Sequence, residues 1–564
     1  MIQKNDIKNR LFSEKYIRDI LPGIVKFGIG MALSLSMVMS LSSCSEDKLE
    51  TPENPVPETD TKYYFTLTVS APVTTRSYTQ PDGTSSSDFI PGTDPESELK
   101  NAQMFFCIGD EIKLQLTAAI PTKIDKAGNE YDNSYSISAE IEDLSQLTSM
   151  AGQDVKLYVV GNYNTVSKHN FASKKSGATF SIDALNEDPI GDYLSDGKTM
   201  PLVNAEEFTL ASLSSINKDD GEEAVLNAVK KMFVKNGQEQ IYDMGTLKLE
   251  RAVARIDWKD TDRTNKSTPN RYNIGRTSIN ADLYDLQLFN VNTSSYLFRH
   301  TAKGTDTKAA NSAVTPFGVE NNDDSKNTYN WIAGSDWEAS SDGTYNKNTT
   351  FLNPVSTTDP LTGAITGITV TDPSVPGSIT IAELTKTNNE GAPVRNLDED
   401  GYYPWCYVTE NTLPSISTVA SENATGVVFR FKLLNKNGAP LTPDMVKSGS
   451  NVPSEIVSES ENGKSIRITD NQKYYINLDY TDGDGDAAGF FVTYYGYIVH
   501  NDSPNYSSQA LPPMYYGVVR NTVYQISVKS IVKLPNPEYP DIIVEMNAKM
   551  FPWILRIDDN VVLK

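Results

Sequence analysis

The most regular hydrophobic pattern in the chain is an alternation that lies near the N-terminus. In residues 63–71, YYFTLTVSA, every odd position is apolar, and the even positions after the first are small and polar. A period of two residues is typical of a β-strand that buries one face in a core. The pattern therefore predicts a strand with a buried face formed by Tyr63, Phe65, Leu67, Val69 and Ala71.

A second stretch with the same alternation lies close to the C-terminus. Residues 542–550, IIVEMNAKM, carry apolar side chains at the even positions and polar or charged side chains at most of the odd ones. This pattern predicts a second strand of equal length. Its apolar face is formed by Ile542, Val544, Met546, Ala548 and Met550.

Two equivalent strands at opposite ends of one chain have two interpretations. In the first, cleavage after Arg76 removes the N-terminal strand, and the C-terminal strand of a neighbouring molecule fills the gap. A strand can bind an open sheet edge in this way, because main-chain hydrogen bonds supply affinity and alternate side chains set the register. In the second, both segments are ordinary strands of a stable monomeric β-sandwich. The hydrophobic pattern alone leaves both interpretations open.

Most of the remaining chain consists of short alternating or continuously apolar runs. They predict strands at 102–108, 111–118, 135–141, 155–161, 246–258, 280–292, 427–434, 474–480, 491–499 and 518–532. The clearest helical spacing lies in residues 222–233, EEAVLNAVKKMF, with acidic residues in the first turn and basic residues in the last. The sequence predicts an all-β fold with a minor helix, and polar residues 259–277 mark a domain boundary.

The N-terminus has the organisation of an export signal. Basic residues are spread over the first 26 positions, and the apolar run Phe27–Leu41 covers 15 residues. That run is short for a membrane span of about 20 residues but suits a signal peptide. The sequence LSSC that ends at Cys44 looks like a bacterial lipobox. We predict a signal peptide over 1–43, lipidation of Cys44, and a propeptide over 44–76 that contains a tether and the removable strand; an ordinary secretory signal is the alternative.

Length and composition limit the classes of protein. A chain of 564 residues suits two or three domains. Its net charge of −23 argues against a broad basic surface for nucleic acid, so we predict no nucleic-acid partner. Once Cys44 carries lipid, Cys107 and Cys406 remain. A disulfide between them is one option, but two buried thiols are favoured.

The sequence lacks the motifs of common enzymes and metal sites. It contains no GxSxG, P-loop or GxGxxG motif, and its three histidines have no metal-ligand spacing. Residues 482–486, DGDGD, start like a calcium loop, but Ala487 and Thr493 stand where an EF-hand requires glycine and glutamate. A solvated hairpin is the favoured interpretation of this loop. We therefore predict a non-enzymatic protein with no cofactor and no metal.

Further motifs resemble one protein family. They are LERAVARI at 249–256, WCYVTENT at 405–412, VVRNTVYQISVKSI at 518–531 and the dipeptide PW at 552–553. Together with the lipobox and the loop that contains Arg76, these motifs resemble the fimbrillins of Bacteroidales. Within that family, they are most similar to the major subunit of the short (minor) fimbrium. The resemblance implies two tandem transthyretin-like β-sandwich domains, residues 77–262 and 263–540, followed by a C-terminal donor-strand tail over 541–564.

The resemblance also implies an assembly route. It implies a lipid-anchored outer-membrane precursor, cleavage between Arg76 and Ser77 by an arginine-specific protease, and donor-strand polymerisation into a type V pilus. Family members often have alanine after the cleaved arginine, and Ser77 departs from that pattern. The implied partners are identical or homologous subunits, anchor and tip fimbrial proteins, and host or bacterial surface ligands. The implied roles are adhesion and biofilm formation at the cell surface.

Three other functions compete with a fimbrial shaft subunit. A monomeric surface adhesin lipoprotein would keep residues 44–76 and would not polymerise. A tip or accessory fimbrial component would lack either the accepting or the donating function. A secreted polysaccharide-active enzyme would require a catalytic constellation, and the sequence offers none.

Overall fold

The structure is a computed structural model of the chain. It describes residues 61–70, 90–92, 96, 98–109, 111–124, 134–162, 179–181, 200–260, 268–304, 377–395, 397, 401–412, 423–470, 475–500, 516–531, 534 and 544–555, together with short segments between 315 and 365. The predicted signal peptide, Cys44, Ala71, Arg76, Ser77 and Ile542 lie outside the described residues.

Most of the described chain is β-strand. The strands of the N-terminal part are β1 (Lys62–Ser70), β2 (Ile90–Gly92), β3 (Ala102–Ile108), β4 (Glu111–Thr117), β5 (Thr122–Ile124), β6 (Ser134–Ile141), β7 (Val155–Gly161), β8 (Thr179–Ser181), β9 (Leu202–Asn204), β10 (Val234–Asn236), β11 (Glu239–Arg251) and β12 (Ala254–Trp258). The remaining strands are β13 (Arg271–Asn273), β14 (Asn280–Phe289), β15 (Val291–Asn292), β16 (Ser294–Tyr296), β17 (His300–Gly304), β18 (Thr315–Pro316), β19 (Asn321–Asp323), β20 (Thr328–Ile332), β21 (Trp337–Ala339), β22 (Tyr345–Lys347), β23 (Phe351–Leu352), β24 (Thr357–Asp359), β25 (Ala364–Ile365), β26 (Ser378–Thr380), β27 (Tyr403–Val408), β28 (Asn411–Thr412), β29 (Gly426–Leu433), β30 (Ile456–Ser458), β31 (Ser465–Thr469), β32 (Tyr475–Thr481), β33 (Gly489–Tyr497), β34 (Gly517–Val518), β35 (Thr522–Ile531) and β36 (Val544–Leu555).

The helices among the described residues are short. They are α1 (Ser145–Met150), α2 (Ala211–Ser214), α3 (Glu222–Met232), α4 (Ile381–Leu384) and α5 (Pro443–Ser448). Within the described residues, no helix is long and apolar enough to cross a membrane. The all-β prediction with a minor helix is confirmed.

Helix α3 forms where its sequence predicts it. Gly221 precedes the helix with a φ of 87°, a conformation that side chains disfavour. Val225 and Val229 are buried on one face, four residues apart, as expected for one side of an amphipathic helix. Phe233, directly after the helix, is also buried, and its ring is placed over the first sheet.

The strands that the structure describes form three large sheets. The first has the order β4-β3-β7-β9-β11-β1-β6-β5, and β10 pairs with β11. The second has the order β2-β36-β35-β12-β27. The third has the order β13-β14-β29-β33-β32-β31-β30, and β26 pairs with β14.

The predicted strand over 246–258 is divided between two sheets. Strand β11 ends at Arg251 in the first sheet, whereas β12 pairs with β27 and β35 in the second sheet. Ala252 and Val253, which connect them, are fully buried. The prediction of one continuous strand was wrong because apolar residues lie on both sides of the break, so the hydrophobic pattern does not mark it.

Two other predicted strands are interrupted by asparagine. Asn290 separates β14 from β15 with a φ of 51°, and Asn521 separates β34 from β35 with a φ of 55°. Asparagine adopts this left-handed conformation more readily than most residues. The predicted strand 280–292 is therefore divided at Asn290 alone, whereas the predicted strand 518–532 is divided over residues 519–521, the last of which has a left-handed backbone.

Where the structure describes burial, the buried apolar residues form two separate clusters. The first core consists of residues between Phe65 and Leu249, and the second consists mainly of residues from Ala252 to Leu534. Cys107 and Cys406 are buried as thiols and form no disulfide, as the sequence favoured. The transthyretin-like class and the domain boundaries at 77–262 and 263–540 stay predictions.

Candidate strand-exchange site

Strand β1 lies inside the first sheet and pairs along both of its edges. It runs parallel to β11, with Phe65 beside Tyr242, and antiparallel to β6, with Phe65 beside Ala139. The antiparallel ladder with β6 is continuous from Tyr63 to Ser70. Removal of β1 would therefore leave two unpaired strand edges, on β11 and on β6, with a groove between them.

The inward face of β1 supplies the middle of the first core. Phe65, Leu67 and Val69 have no exposed surface. The Phe65 ring centroid lies 4.9 Å from that of Phe106 and 5.7 Å from that of Tyr242. Aromatic pairs at these distances add to the energy of simple burial. The groove would therefore contain a deep aromatic pocket at the position of Phe65.

The residue after helix α3 covers one end of the groove. The Phe233 ring lies edge-on to Tyr63 at 5.2 Å between centroids, and 5.8 Å from the Phe65 ring. Because the Phe233 ring contacts both side chains, Phe233 covers the core side of the groove at this end. The aromatic contacts place the first two predicted face residues, Tyr63 and Phe65, at this end.

The outward face of β1 is polar and makes weaker contacts. Lys62 Nζ lies 3.0 Å from Glu140 Oε1, and Tyr64 Oη donates a hydrogen bond to Glu140 Oε2 at 3.2 Å. The hydrogen bond and the charge of Glu140 raise the pKa of Lys62. These groups are solvent-exposed, and exposed ion pairs contribute little to stability. The inward face therefore holds β1 in place.

The predicted donor strand occupies a different sheet. Strand β36 runs antiparallel to β35, with Met546 beside Val528, Ala548 beside Ile526, and Met550 beside Tyr524. Val544 pairs with Ile531 after a register shift. The far end of β36 also pairs with β2 in parallel, Ile90 beside Trp553. The structure therefore does not bring the two predicted strands together within one chain.

A buried ionic cluster that the sequence patterns did not predict lies at the LERAVARI motif. Arg255 Nη1 lies 2.9 Å from Glu96 Oε2, and Arg255 Nη2 lies 2.7 Å from Asp257 Oδ2. Tyr407 Oη donates to Glu96 Oε1 at 2.6 Å, and Arg251 Nε donates to the Glu96 main-chain oxygen at 3.0 Å. We call these five residues the Glu96 cluster. Each of them is less than 5% exposed.

Opposite charges stabilise part of the Glu96 cluster, whereas burial and the neighbouring Arg255 lower the pKa of Arg251 to about 9. Burial lowers the pKa of Arg255, but the Asp257 and Glu96 carboxylates outweigh this effect and shift the pKa upward. Burial and the Glu96 carboxylate raise the pKa of Tyr407 well above its ordinary value, so the phenol keeps its proton and remains a donor. The cluster joins the segment before β3 to strands β12 and β27.

A second buried ion pair joins the motifs WCYVTENT at 405–412 and VVRNTVYQISVKSI at 518–531. Arg520 Nη2 lies 2.7 Å from Glu410 Oε2, and both side chains are at most 1% exposed. Arg520 Nη1 also donates to the Leu297 main-chain oxygen at 2.7 Å. One signal was available in the sequence: Arg251, Arg255 and Arg520 stand inside apolar runs, and a charge there requires a buried partner. Sequence patterns do not identify that partner.

Two lysine side chains of the protein contact the acidic loop at residues 482–486. Lys464 Nζ donates to both Asp482 carboxylate oxygens, at 2.6 and 2.7 Å. Lys432 Nζ donates to the main-chain oxygen of Asp486. Within the described part of the chain, no group of three or more His, Cys, Asp or Glu side chains is placed to hold a metal ion.

The C-terminal region matches one family model. Residues 490–562 match the model described as the C-terminal region of fimbrillin, the major fimbrial subunit protein type IV. The matched residues include all of β34, β35 and β36. No curated protein sequence matches the chain.

Several solved structures are similar to the chain at low identity. A fimbrilin of Porphyromonas gingivalis W83 is 13% identical, with 87% of this chain and 98% of that chain covered and a TM-score of 0.32. A candidate cell adhesion protein of Parabacteroides distasonis is 12% identical, with 87% and 99% covered and a TM-score of 0.39. A C-terminally truncated tip fimbrial protein of Porphyromonas gingivalis is 9% identical, with 87% and 100% covered and a TM-score of 0.27. TM-scores this low support no argument of their own.

The family match agrees with the resemblance found in the sequence. Both rest most heavily on the last part of the chain, where β35 and β36 pair. The assignment to the short (minor) fimbrium stays a prediction. Residues 490–562 of the chain therefore match the C-terminal region of the fimbrillin family.

Proposed function

We propose that the protein is a structural subunit of a cell-surface fimbrium that polymerises by donor-strand exchange. It would be exported as a lipoprotein on Cys44 and activated by cleavage between Arg76 and Ser77. The observation that carries the proposal is the position of β1, an internal strand that precedes Arg76 and pairs on both edges. Cleavage would cut the covalent link of this strand to the rest of the subunit. Adhesion and biofilm formation would follow from the resulting fibre.

The burial energy of β1 is a large fraction of the stability of a whole domain. Burial of Phe65, Leu67 and Val69 contributes about 1.5–3 kcal/mol each, roughly 5–9 kcal/mol in total as an upper estimate. Whole domains are stable by only about 5–15 kcal/mol. A subunit that loses β1 would therefore strongly favour refilling of the groove. Before cleavage, the resident strand would block the groove and keep the precursor monomeric.

The C-terminal strand has the length and pattern of a replacement. Strand β36 spans 12 residues, whereas β1 spans 9. Its predicted apolar face, from Val544 to Met550, repeats the period of β1. To donate this face, β36 would have to leave β35 of its own chain, so the proposal requires a conformational change in the donor.

One observation favours a second candidate function, a monomeric surface adhesin lipoprotein. Strand β36 pairs with β35 of its own chain over nearly its whole length. If β36 stays there, the chain has no strand to donate. The two candidates therefore differ in whether cleavage leads to polymers.

We expect arginine-specific protease to convert the chain from Ser45 onward into polymers with a new N-terminus at Ser77. The polymers should resist SDS, because each groove is refilled by a buried strand, and should form a ladder on a gel. The matched control is Arg76→Lys, which keeps the charge but removes the cleavage site, and it should remain monomeric. Cleavage at Arg76 that leaves only monomers would instead support the monomeric adhesin.

A further inference from the structure

The distribution of arginine along the chain is uneven. No arginine lies between Arg76 and Arg251, although 14 lysines lie in that interval. Arginine makes up 14 of the 50 basic residues of the whole chain, so its absence from this interval does not reflect a shortage of basic positions. The interval contains the whole first core after β1. An arginine-specific protease therefore finds no cleavage residue in it.

The first two arginines after this interval are inaccessible. Arg251 has no exposed surface and Arg255 is 2% exposed. Both lie in or beside paired β-strands, whereas proteases cut preferentially at exposed loops. Cleavage there would require local unfolding, and its rate would follow the population of the opened state.

The Glu96 cluster stabilises the closed state around these two arginines. The Glu96 carboxylate accepts from Arg255 Nη1 at 3.1 and 2.9 Å, and its main-chain oxygen accepts from Arg251 Nε at 3.0 Å. Glu96 belongs to the segment that follows the proposed cleavage site. Glu96 thus contacts both of the next two arginines.

We infer that an arginine-specific endopeptidase cuts after Arg76 and then leaves residues 77–258 of the folded subunit intact. The inference rests on the proposed cleavage at Arg76 and adds a cause for its selectivity: arginine is absent from the first core, and the next two arginines are held by Glu96. It makes no claim for Arg276, which is exposed in a turn. Arg263 and Arg556 lie outside the described residues.

The test is a time course of digestion of the native chain, from Ser45 onward, with an arginine-specific protease. New N-termini are identified by mass spectrometry. We expect Ser77 early, and neither Ala252 nor Ile256 while the protein stays folded. The same chain unfolded in urea should yield both, which shows that the protease accepts these bonds. Appearance of Ala252 or Ile256 in the native chain at a rate like that of Ser77 would overturn the inference.

Two variants separate the role of Glu96 from general stability. Glu96→Gln should accelerate cleavage at Arg251 and Arg255 about tenfold or more, because it removes one of the two carboxylates that hold Arg255. Glu98→Gln is the matched control, since the Glu98 side chain is exposed and its carboxylate forms a surface ion pair with Lys100. Equal rates of cleavage at Arg251 and Arg255 in the two variants would contradict the role of Glu96 in protecting these arginines.

A third variant tests the absence of arginine directly. Lys100→Arg places an arginine at a half-exposed position before β3, and we expect a new N-terminus at Asn101. Failure to cut Lys100→Arg would contradict the claim that the missing arginines matter. Failure to cut Arg76 would count against the proposed function, whereas cuts at Arg251 or Arg255 count against this inference alone.

Discussion

Leu67→Asp should destabilise the uncleaved chain by more than about 4 kcal/mol, because it buries an unpaired carboxylate in the first core. Leu67 has no exposed surface and lies opposite Ile137 of β6. The new carboxylate at position 67 would therefore have an apolar neighbour on the β6 side of the strand. The measurement is the urea midpoint of the first unfolding transition, compared between the variant and the unchanged chain.

The control for this substitution lies at the next position. Thr68→Asp introduces the same carboxylate on the outward, half-buried face of β1, and we expect a loss below about 1 kcal/mol. If both variants lose the same stability, the inward face of β1 does not hold the groove closed.

Leu67→Asp also distinguishes a role of β1 in the precursor from a role of β1 in the processed subunit. Because Leu67 lies before Arg76, the proposed cleavage removes it from the final fibre. Polymers made from Leu67→Asp should therefore be as resistant to SDS as those of the unchanged chain. Polymers weakened by Leu67→Asp would indicate that β1 remains in the fibre.

Arg255→Ala is the second substitution with a large expected effect. It leaves two carboxylates, Glu96 and Asp257, buried without the guanidinium that contacts both. Removal of one partner from a buried ion pair costs about 3–5 kcal/mol. Arg255→Lys should recover only part of this loss, because an ammonium group cannot reproduce the paired contacts of a guanidinium. Thermal unfolding of the uncleaved chain measures both.

Arg271→Ala is the matched control for the Glu96 cluster. Arg271 Nε lies 2.7 Å from Asp282 Oδ1, but the side chains are 28% and 35% exposed. Solvent screening limits such a pair to about 1 kcal/mol or less. A loss for Arg255→Ala no larger than that for Arg271→Ala would contradict the importance of the buried cluster.

Local patterns in the sequence predict the strands better than they predict the neighbours of each strand. The alternation of residues 63–71 identifies the buried face of β1 because side-chain direction repeats every two residues. The spacing of residues 222–233 identifies α3 for the same kind of reason. Neither pattern shows that β1 pairs with β11 and β6, since pairing depends on segments distant in sequence.

The break between β11 and β12 shows where pattern reasoning fails. Leu249 and Ile256 are both buried, but they belong to different cores. A hydrophobic run predicts that its residues are buried, but it does not predict which core contains them. The change of sheet at Ala252 and Val253 is therefore invisible in the sequence.

The Glu96 cluster shows the same limit for polar residues. Glu96 and Arg255 are 159 positions apart, and Glu96 and Tyr407 are 311 apart. The arginines in the LERAVARI motif indicate that a buried partner exists. Only the fold identifies Glu96 as that partner. The segment around Glu96 is rich in glycine, serine and proline, a composition typical of a loop.

The most direct test of the proposed assembly is a disulfide cross-link between two different chains. The acceptor chain carries Ser138→Cys on β6, at the position that pairs with Thr66 of β1. The donor chain carries one of Glu545→Cys, Asn547→Cys or Lys549→Cys together with Arg76→Lys, so that only the acceptor can be cleaved. The acceptor is digested, the protease is inhibited, and the two chains are mixed under oxidising conditions.

Strand exchange predicts a covalent dimer for at least one donor position, and only after the acceptor has been cleaved at Arg76. The reason is that a disulfide requires Cα atoms about 4.4–6.8 Å apart, which β6 and β36 reach only if the donor strand replaces β1. Cleaved acceptors that form no cross-link at any of the three positions, or uncleaved acceptors that form it equally well, would contradict donor-strand exchange.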